Sequence, residues 1–369
     1  MNQKPTSYVL AALGLLPAFA FAVTPIPTSV LGTVQQGLTV TITGTSMVQE
    51  DRTNWDPWFK TTHPNASGME GSSPAADGYD SPYSAPDLTY VVDVKLMGTK
   101  SMLMHDQGVH TWPPGGGRRT VIWPAGAGNQ AGLPKDVYFR IYTRWNWNEW
   151  PRNGGTLGNS ELKFWWQGSD LGPGYEVFWN FQPNNGNAPT RFGYTNESDP
   201  FQWYDIPGGA LQNNKWYLIE THAVLHNNGN NAPYVVEAWI NNQLLFSNSM
   251  TRGIGPTGAG WALAVNYWAM SAAFDGYQWN DGMALSSTRI GPASLIEIGN
   301  SSTYNPNNVV YQFPEFLSDT SSQFKVNLTG LGAGPYFLWV TNNRGERSLP
   351  FSLTSTSTTL PPPPNLRLQ

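Results

Sequence analysis

The chain has 369 residues and a formal net charge of −5, and only 12% of its residues are charged while 13% are aromatic. It contains no block of Lys and Arg residues, so it lacks the basic patch that nucleic-acid binding requires. Its length predicts one or two domains with a large core, and the absence of cysteine excludes a disulfide framework.

The N-terminal residues 1–22 have the pattern of a secretory signal peptide. Lys4 precedes an apolar run from Tyr8 to Phe21, and small residues at Ala20 and Ala22 predict cleavage after Ala22. No later stretch approaches the roughly 18 apolar residues that a membrane span needs. We therefore expect a secreted or periplasmic bacterial protein that is a soluble monomer.

The distribution of tryptophan predicts the domain organisation. Sixteen of the 17 tryptophans lie between Trp55 and Trp279, which marks a central domain over 48–292. The flanks, 23–47 and 293–353, contain short β-branched runs separated by turn residues, as in a small β-sandwich. The last segment, 354–369, is rich in Thr and Pro and predicts an extended tail.

Five segments of the central domain predict strands. In the first four, polar and apolar residues alternate with a period of two, and in the fifth, 234–240, Glu237 and Trp239 share a face. They are 137–144, 162–167, 176–182, 216–226 and 234–240. The polar faces carry Tyr138, Arg140, Tyr142 and Arg144; Lys163, Trp165 and Gln167; Glu176, Phe178, Asn180 and Gln182; Glu220, His222 and His226; and Glu237 and Trp239. Gly, Pro and Asn interrupt every candidate amphipathic helix, so the predicted fold is all-β.

Three parts of the chain, 136–145, 215–220 with 237–243, and 280–291, together resemble the concanavalin-like jelly-roll polysaccharide lyases, the group of glucuronan, alginate and heparin lyases. The flanks resemble an immunoglobulin-like module of the IPT/TIG type. The resemblance implies a jelly-roll sandwich inserted into, or followed by, a small immunoglobulin-like sandwich. Two alginate-lyase signatures, a Gln-x-His strand and a Tyr-x-Lys-x-Gly strand, are absent.

A lyase of this kind would cleave an acidic polysaccharide by β-elimination, and each step favours particular residue types. Neutralising the sugar carboxylate favours Arg, Lys, Gln or Asn, removing the C5 proton favours a neutral His or a Tyr, and protonating the leaving oxygen favours Tyr. The predicted catalytic residues are Arg140, Gln167, His222, His226 and Tyr142. The predicted substrate-binding residues are Arg144, Lys163, Trp165, Glu220, Trp239, Tyr267 and Tyr277, of which Tyr267 and Tyr277 could also supply the acid.

Three alternatives to a lyase stay open. A non-catalytic carbohydrate-binding or cell-surface protein would keep the sheet without the chemistry, and the missing signatures favour it. A glycoside hydrolase would need two carboxylates to converge, for which Glu176, Glu220 and Glu237 are the candidates. His222 and His226 could ligate a metal, but no Cys or carboxylate cluster adjoins them. No cofactor is expected, and no loop, 77–80 included, has a recognisable calcium-ligand spacing.

Overall fold

The computed structural model describes residues 24–47, 79–80, 88–91, 93–96, 101–109, 117–122, 136–147, 162–168, 176–182, 184, 187–195, 200–224, 234–250, 262–269, 273–286, 288–342 and 346–353. Within these ranges the regular structure consists of β-strands, numbered β1 to β22 in chain order, and one short 3₁₀ turn at Pro306–Asn308. The predicted all-β fold is confirmed. Among the described residues, no helix has the length and apolar character needed to cross a membrane.

The first large sheet is antiparallel and is named the β7 sheet after its central strand. Its strands are β4 (Leu88–Val91), β5 (Ser101–Val109), β7 (Asp136–Trp147), β12 (Trp216–Val224), β13 (Tyr234–Ile240), β14 (Gln243–Met250) and β16 (Ala273–Ser286). They are arranged in the order β14, β13, β12, β7, β16, β5, β4. The turn between β13 and β14 places Asn241 and Asn242 at φ of 51° and 66°, which matches the type I′ geometry of a tight hairpin.

The second large sheet, named the β8 sheet, also has seven antiparallel strands. They are β3 (Tyr79–Asp80), β6 (Gly117–Ile122), β8 (Leu162–Gly168), β9 (Glu176–Phe181), β10 (Arg191–Thr195), β11 (Gln202–Asp205) and β15 (Ala262–Ala269). Their order is β11, β10, β9, β8, β15, β6, β3. The predicted segments 162–167 and 176–182 thus become neighbouring strands.

Aromatic rings from the two large sheets form a shared core. Trp145 on β7 makes an edge contact with Phe181 on β9 at 5.4 Å, and Trp179 stacks on Phe246 of β14 at 6.2 Å between ring centroids. Trp145, Trp179 and Phe181 are at most 1% exposed. Because side chains alternate along a strand, the neighbours of these residues point to the outer faces of the sandwich.

The two flanks of the chain form a smaller sandwich of two four-stranded sheets. One contains β1 (Ile26–Leu31), β2 (Thr39–Thr45), β19 (Pro314–Leu317) and β20 (Ser321–Lys325), and the other contains β17 (Ser294–Gly299), β18 (Val309–Tyr311), β21 (Phe337–Asn342) and β22 (Phe351–Ser352). β2 pairs with β20 although the two strands lie far apart in sequence. The assignment of this small sandwich to the IPT/TIG type stays a prediction.

The small sandwich covers part of the outer face of the β7 sheet. Tyr142, Leu218 and Trp279 of the β7 sheet belong to the same buried cluster as Ile296 and Val340 of the small sandwich. This contact decides which outer face of the large sandwich is accessible. The outer face of the β8 sheet lies on the opposite side.

Candidate functional site

Arg140 and Tyr142 lie beneath the small sandwich, so the predicted open cleft on this face of β7 is wrong. Arg140 is 1% exposed and donates from Nε to the Gly282 carbonyl oxygen at 3.0 Å. Tyr142 is fully buried, and its hydroxyl oxygen accepts a hydrogen bond from the Ala293 backbone N–H at 2.9 Å. Burial raises the pKa of Tyr142 to about 12, although the nearby Arg140 charge opposes this. A substrate cannot reach either side chain in this arrangement.

Glu220 fixes a stretch of chain that passes over the β7 sheet, residues 288–293, which we name the crossing segment. The Glu220 carboxylate is 1% exposed and accepts hydrogen bonds from the Ile290 N–H at 2.7 Å and the Gly291 N–H at 3.1 Å. Arg289 adds a longer contact to the same carboxylate at 3.4 Å. Glu220 therefore anchors the backbone and does not face a ligand.

His222 is held between two carboxylates. Its Nδ1 lies 2.8 Å from Glu237 Oε2 and its Nε2 lies 2.7 Å from Asp136 Oδ1, while Ser247 donates to the other oxygen of Glu237 at 2.6 Å. Tyr138 stacks on the imidazole at 3.8 Å, and the His222 side chain is 7% exposed. Because both ring nitrogens already contact carboxylates, neither faces a position that a substrate could occupy.

Trp239 and Tyr277 are both covered. The Arg289 guanidinium lies 4.5 Å from the centre of the Trp239 ring, and Trp239 is 7% exposed. Tyr277 stacks on Trp279 and packs against the buried cluster of the small sandwich. The predicted ligand-facing position of Trp239 is therefore wrong, because a cation already covers its ring.

The three glutamates proposed for a hydrolase lie on two different sheets. Glu220 and Glu237 belong to the β7 sheet and are engaged as described, whereas Glu176 begins β9 of the β8 sheet. In the described part of the chain, no group of three or more His, Asp or Glu residues has a geometry that could hold a metal ion. His226 lies outside the described residues.

The remaining predicted residues belong to neighbouring strands of the β8 sheet. Lys163, Trp165 and Gln167 are on β8, which lies between β9 and the strand of Tyr267, β15. A β-bulge between Lys163 and Trp165 interrupts the alternation, so the predicted common face does not continue across it. The strand order nevertheless brings Lys163, Gln167 and Tyr267 to adjacent strands.

A row of residues crosses the β8 sheet at one level. Trp203 on β11 pairs with Gly193 on β10, Gly193 pairs with Asn180 on β9, and Asn180 pairs with Lys163 on β8. Trp179 and Phe181 point into the core, so Asn180 between them points to the outer face. We name this set the β8-sheet row.

Asn180 is the unusual member of the row. It is fully buried, yet neither its amide nitrogen nor its amide oxygen has a hydrogen-bond partner. Leaving a buried polar group unpaired costs roughly 1–3 kcal/mol. An unpaired buried group in a folded protein calls for a specific explanation, and a catalytic role or a bound group that supplies the partner is one.

Trp203 places an aromatic surface at the end of the row. Its neighbour Tyr204 packs against the core residue Phe246, so Trp203 points to the outer face. Trp203 is half-buried and stacks on Phe201 at 4.9 Å with 13° between the ring planes. A β-carbon at Gly193 would lie only 2.9 Å from the Trp203 ring, so glycine allows the indole to lie over β10.

Sequence reasoning missed Asn180 and Trp203 as functional residues. Asn180 shares the predicted outer face of its strand, and Asn is depleted in strand interiors, which is the signal that could have selected it. Trp203 gave no such signal, because its short strand was not predicted.

The chain has only distant similarity to known proteins. No protein-family model matches it, and no curated protein sequence does. One similar solved structure is the alginate lyase Aly36B, with 11% identity and a TM-score of 0.43; the match covers 62% of this chain and 96% of that protein. Another is an endo-β-1,4-glucuronan lyase from the fungus Trichoderma reesei, with 12% identity and a TM-score of 0.40; the match covers 62% of this chain and 97% of that protein. A PL-14 alginate lyase from Aplysia kurodai has 9% identity and a TM-score of 0.36, with 62% and 100% covered. At these values the similarity does not assign an activity.

Proposed function

We propose that this chain acts on an acidic, uronate-bearing polysaccharide, which it holds on the outer face of the β8 sheet and cleaves by β-elimination. The observation that carries the proposal is the β8-sheet row, in which the unpaired Asn180 amide lies between an aromatic surface and the position of a lysine. The predicted signal peptide is consistent with such a protein acting outside the cytoplasm.

The chemistry of the row suits a sugar acid. The Asn180 amide can donate to a carboxylate, and a lysine at the paired position adds a positive charge, which together would acidify the C5–H bond next to that carboxylate. The flat faces of Trp203 and Phe201 suit the apolar face of a sugar ring. Asn180 is fully buried, so an anionic sugar would have to displace the residues that cover it before supplying the partner that its amide lacks.

The elimination itself requires only proton transfers. A base removes the C5 proton, the electron pair forms the C4–C5 double bond, the C4–O bond breaks, and the departing oxygen takes a proton. Tyr267 is the candidate acid–base group, because β15 pairs directly with β8 and tyrosine can perform both transfers. His226 remains a second candidate for the base. No oxidant or further reactant is needed.

The experiment is to incubate the protein with a panel of uronate polymers and neutral glucans and to follow the ultraviolet absorbance of unsaturated ends. We expect a rise on at least one uronate polymer and none on the neutral glucans. Tyr267→Phe should lower the rate at least about 100-fold. Tyr304→Phe in the small sandwich is the matched control and should leave the rate unchanged. No rise on any uronate polymer would overturn the elimination step.

Binding without turnover is the second candidate function. It is favoured by the position of His222, the predicted base, whose two nitrogens both contact carboxylates. In that case the same polymers bind, the absorbance stays flat, and Asn180 substitutions weaken binding without any change in reaction rate.

A further inference from the structure

A polar groove lies between the small sandwich and the part of the β7 sheet where β7 ends and β12 begins. Its volume is about 600 Å³, which lies within the usual range of small-molecule sites. One wall is formed by Arg144, Lys215 and Trp216, and the other by Tyr311, Glu315 and Lys325. The groove lies on a different sheet from the β8-sheet row.

The groove carries more positive than negative charge. Arg144, Lys215 and Lys325 line it, and Glu315 is the one carboxylate among the lining residues that the structure describes. Glu315 lies 3.5 Å from Lys325, and both side chains are largely solvent-accessible, so this pair is weak. The excess of cations is notable because the whole chain has a net charge of −5.

Two buried polar atoms in the groove lack partners. Arg144 donates from Nη2 to Asn214 at 3.1 Å and lies over the Trp279 ring, but its buried Nε has no hydrogen-bond partner. The Tyr311 hydroxyl is likewise buried and unpaired. Burial lowers the pKa of Arg144, against the opposing charge of Asp93, so a bound anion would offset part of its desolvation.

We propose that this groove is a second saccharide-binding site, which holds a uronate unit through Arg144, Lys215 and Lys325. The planar guanidinium of Arg144 suits a carboxylate. Trp216 and Phe313 supply the apolar surface that a sugar ring covers. Such a site would anchor a polymer beside the large sandwich without taking part in its cleavage.

The test is calorimetric titration with a short oligouronate, carried out in Tyr267→Phe protein so that the probe is not consumed. We expect binding that weakens with added salt, and at least about tenfold weaker affinity in the Lys215→Gln/Lys325→Gln double variant. Glu315→Gln should bind more tightly, because it removes a negative charge from the groove lining.

The control is Arg347→Gln, which removes an exposed arginine of the small sandwich that lies over the Tyr304 ring and does not line the groove. It should bind as the parent protein does. Equal affinity in the double variant and the parent would overturn the proposal, and so would a preference for sulfated or neutral oligosaccharides of the same length. The groove variants should keep full turnover on the polymer, because the groove takes no part in cleavage. If the elimination assay fails while the groove still binds the oligouronate, only the proposed function is overturned.

Discussion

The part of the β7 sheet beneath the crossing segment and the β8-sheet row differ in how their polar side chains are satisfied. On the β7 sheet, the described polar groups beneath the crossing segment are paired: Arg140 with backbone carbonyls, Glu220 with backbone N–H groups, and His222 with two carboxylates. On the β8 sheet, Asn180 is equally buried and has no partner. The difference teaches that polar residues on a strand face can serve stability on one sheet and be left available for a ligand on the other.

The largest expected effect is on the paired face. Glu220→Ala would leave the Ile290 and Gly291 N–H groups buried without an acceptor and would release Arg289. We expect the free energy of unfolding in urea to fall by about 3–5 kcal/mol. Glu315→Ala, which removes an exposed carboxylate, is the control and should change stability by less than about 1 kcal/mol. Similar values for the two variants would show that Glu220 does not hold the crossing segment.

His222→Gln sharpens the comparison with a smaller effect. The two nitrogens of the imidazole ring contact Asp136 and Glu237 on opposite sides, and a glutamine side chain cannot reach both carboxylates in this way. We therefore expect a stability loss of about 1–3 kcal/mol. Turnover of a uronate polymer should stay within about twofold of the parent, because both ring nitrogens of His222 already contact carboxylates. A loss of turnover with intact folding would return His222 to the role of catalytic base.

The smallest effect concerns Glu297 in the small sandwich. Burial raises the pKa of Glu297, and the hydrogen bond from Tyr304 and the charge of Arg347 only partly oppose this. The folded protein therefore holds this proton more tightly than the unfolded chain, so stability falls as pH rises above the ordinary value of 4.5. Glu297→Gln should raise the unfolding temperature slightly at pH 7 and not below pH 4. An equal shift at both pH values would exclude a linked proton.

The strands were predictable where alternation is long and regular. The predicted segments 137–144 and 234–240 lie within β7 and β13, and the observed 216–224 follows the predicted strand closely. Period-two alternation separates two faces but does not say which face another domain will cover. For that reason Arg140, Tyr142 and Trp239 were assigned to an open surface although the small sandwich or the crossing segment covers them.

The candidate site was only partly predictable. Lys163, Gln167 and Tyr267 were chosen by residue type, and the strand order brings their strands together. The bulge after Lys163 has no clear sequence signal, so the register of Trp165 could not be derived. Asn180 required the structure, because a missing hydrogen-bond partner is a property of the folded environment and not of a sequence pattern.

The role of Asn180 as a ligand-binding residue is tested most directly by the Asn180→Leu variant, with turnover and stability measured on the same protein. The leucine side chain has the same number of heavy atoms as asparagine in the same branched arrangement. It lacks the amide that has no partner. We predict an unchanged or higher free energy of unfolding, together with at least a tenfold lower kcat/KM on the uronate polymer, or a tenfold weaker affinity if the protein only binds. A loss of stability with full turnover or affinity would contradict the account, because Asn180 would then serve the fold and not the ligand.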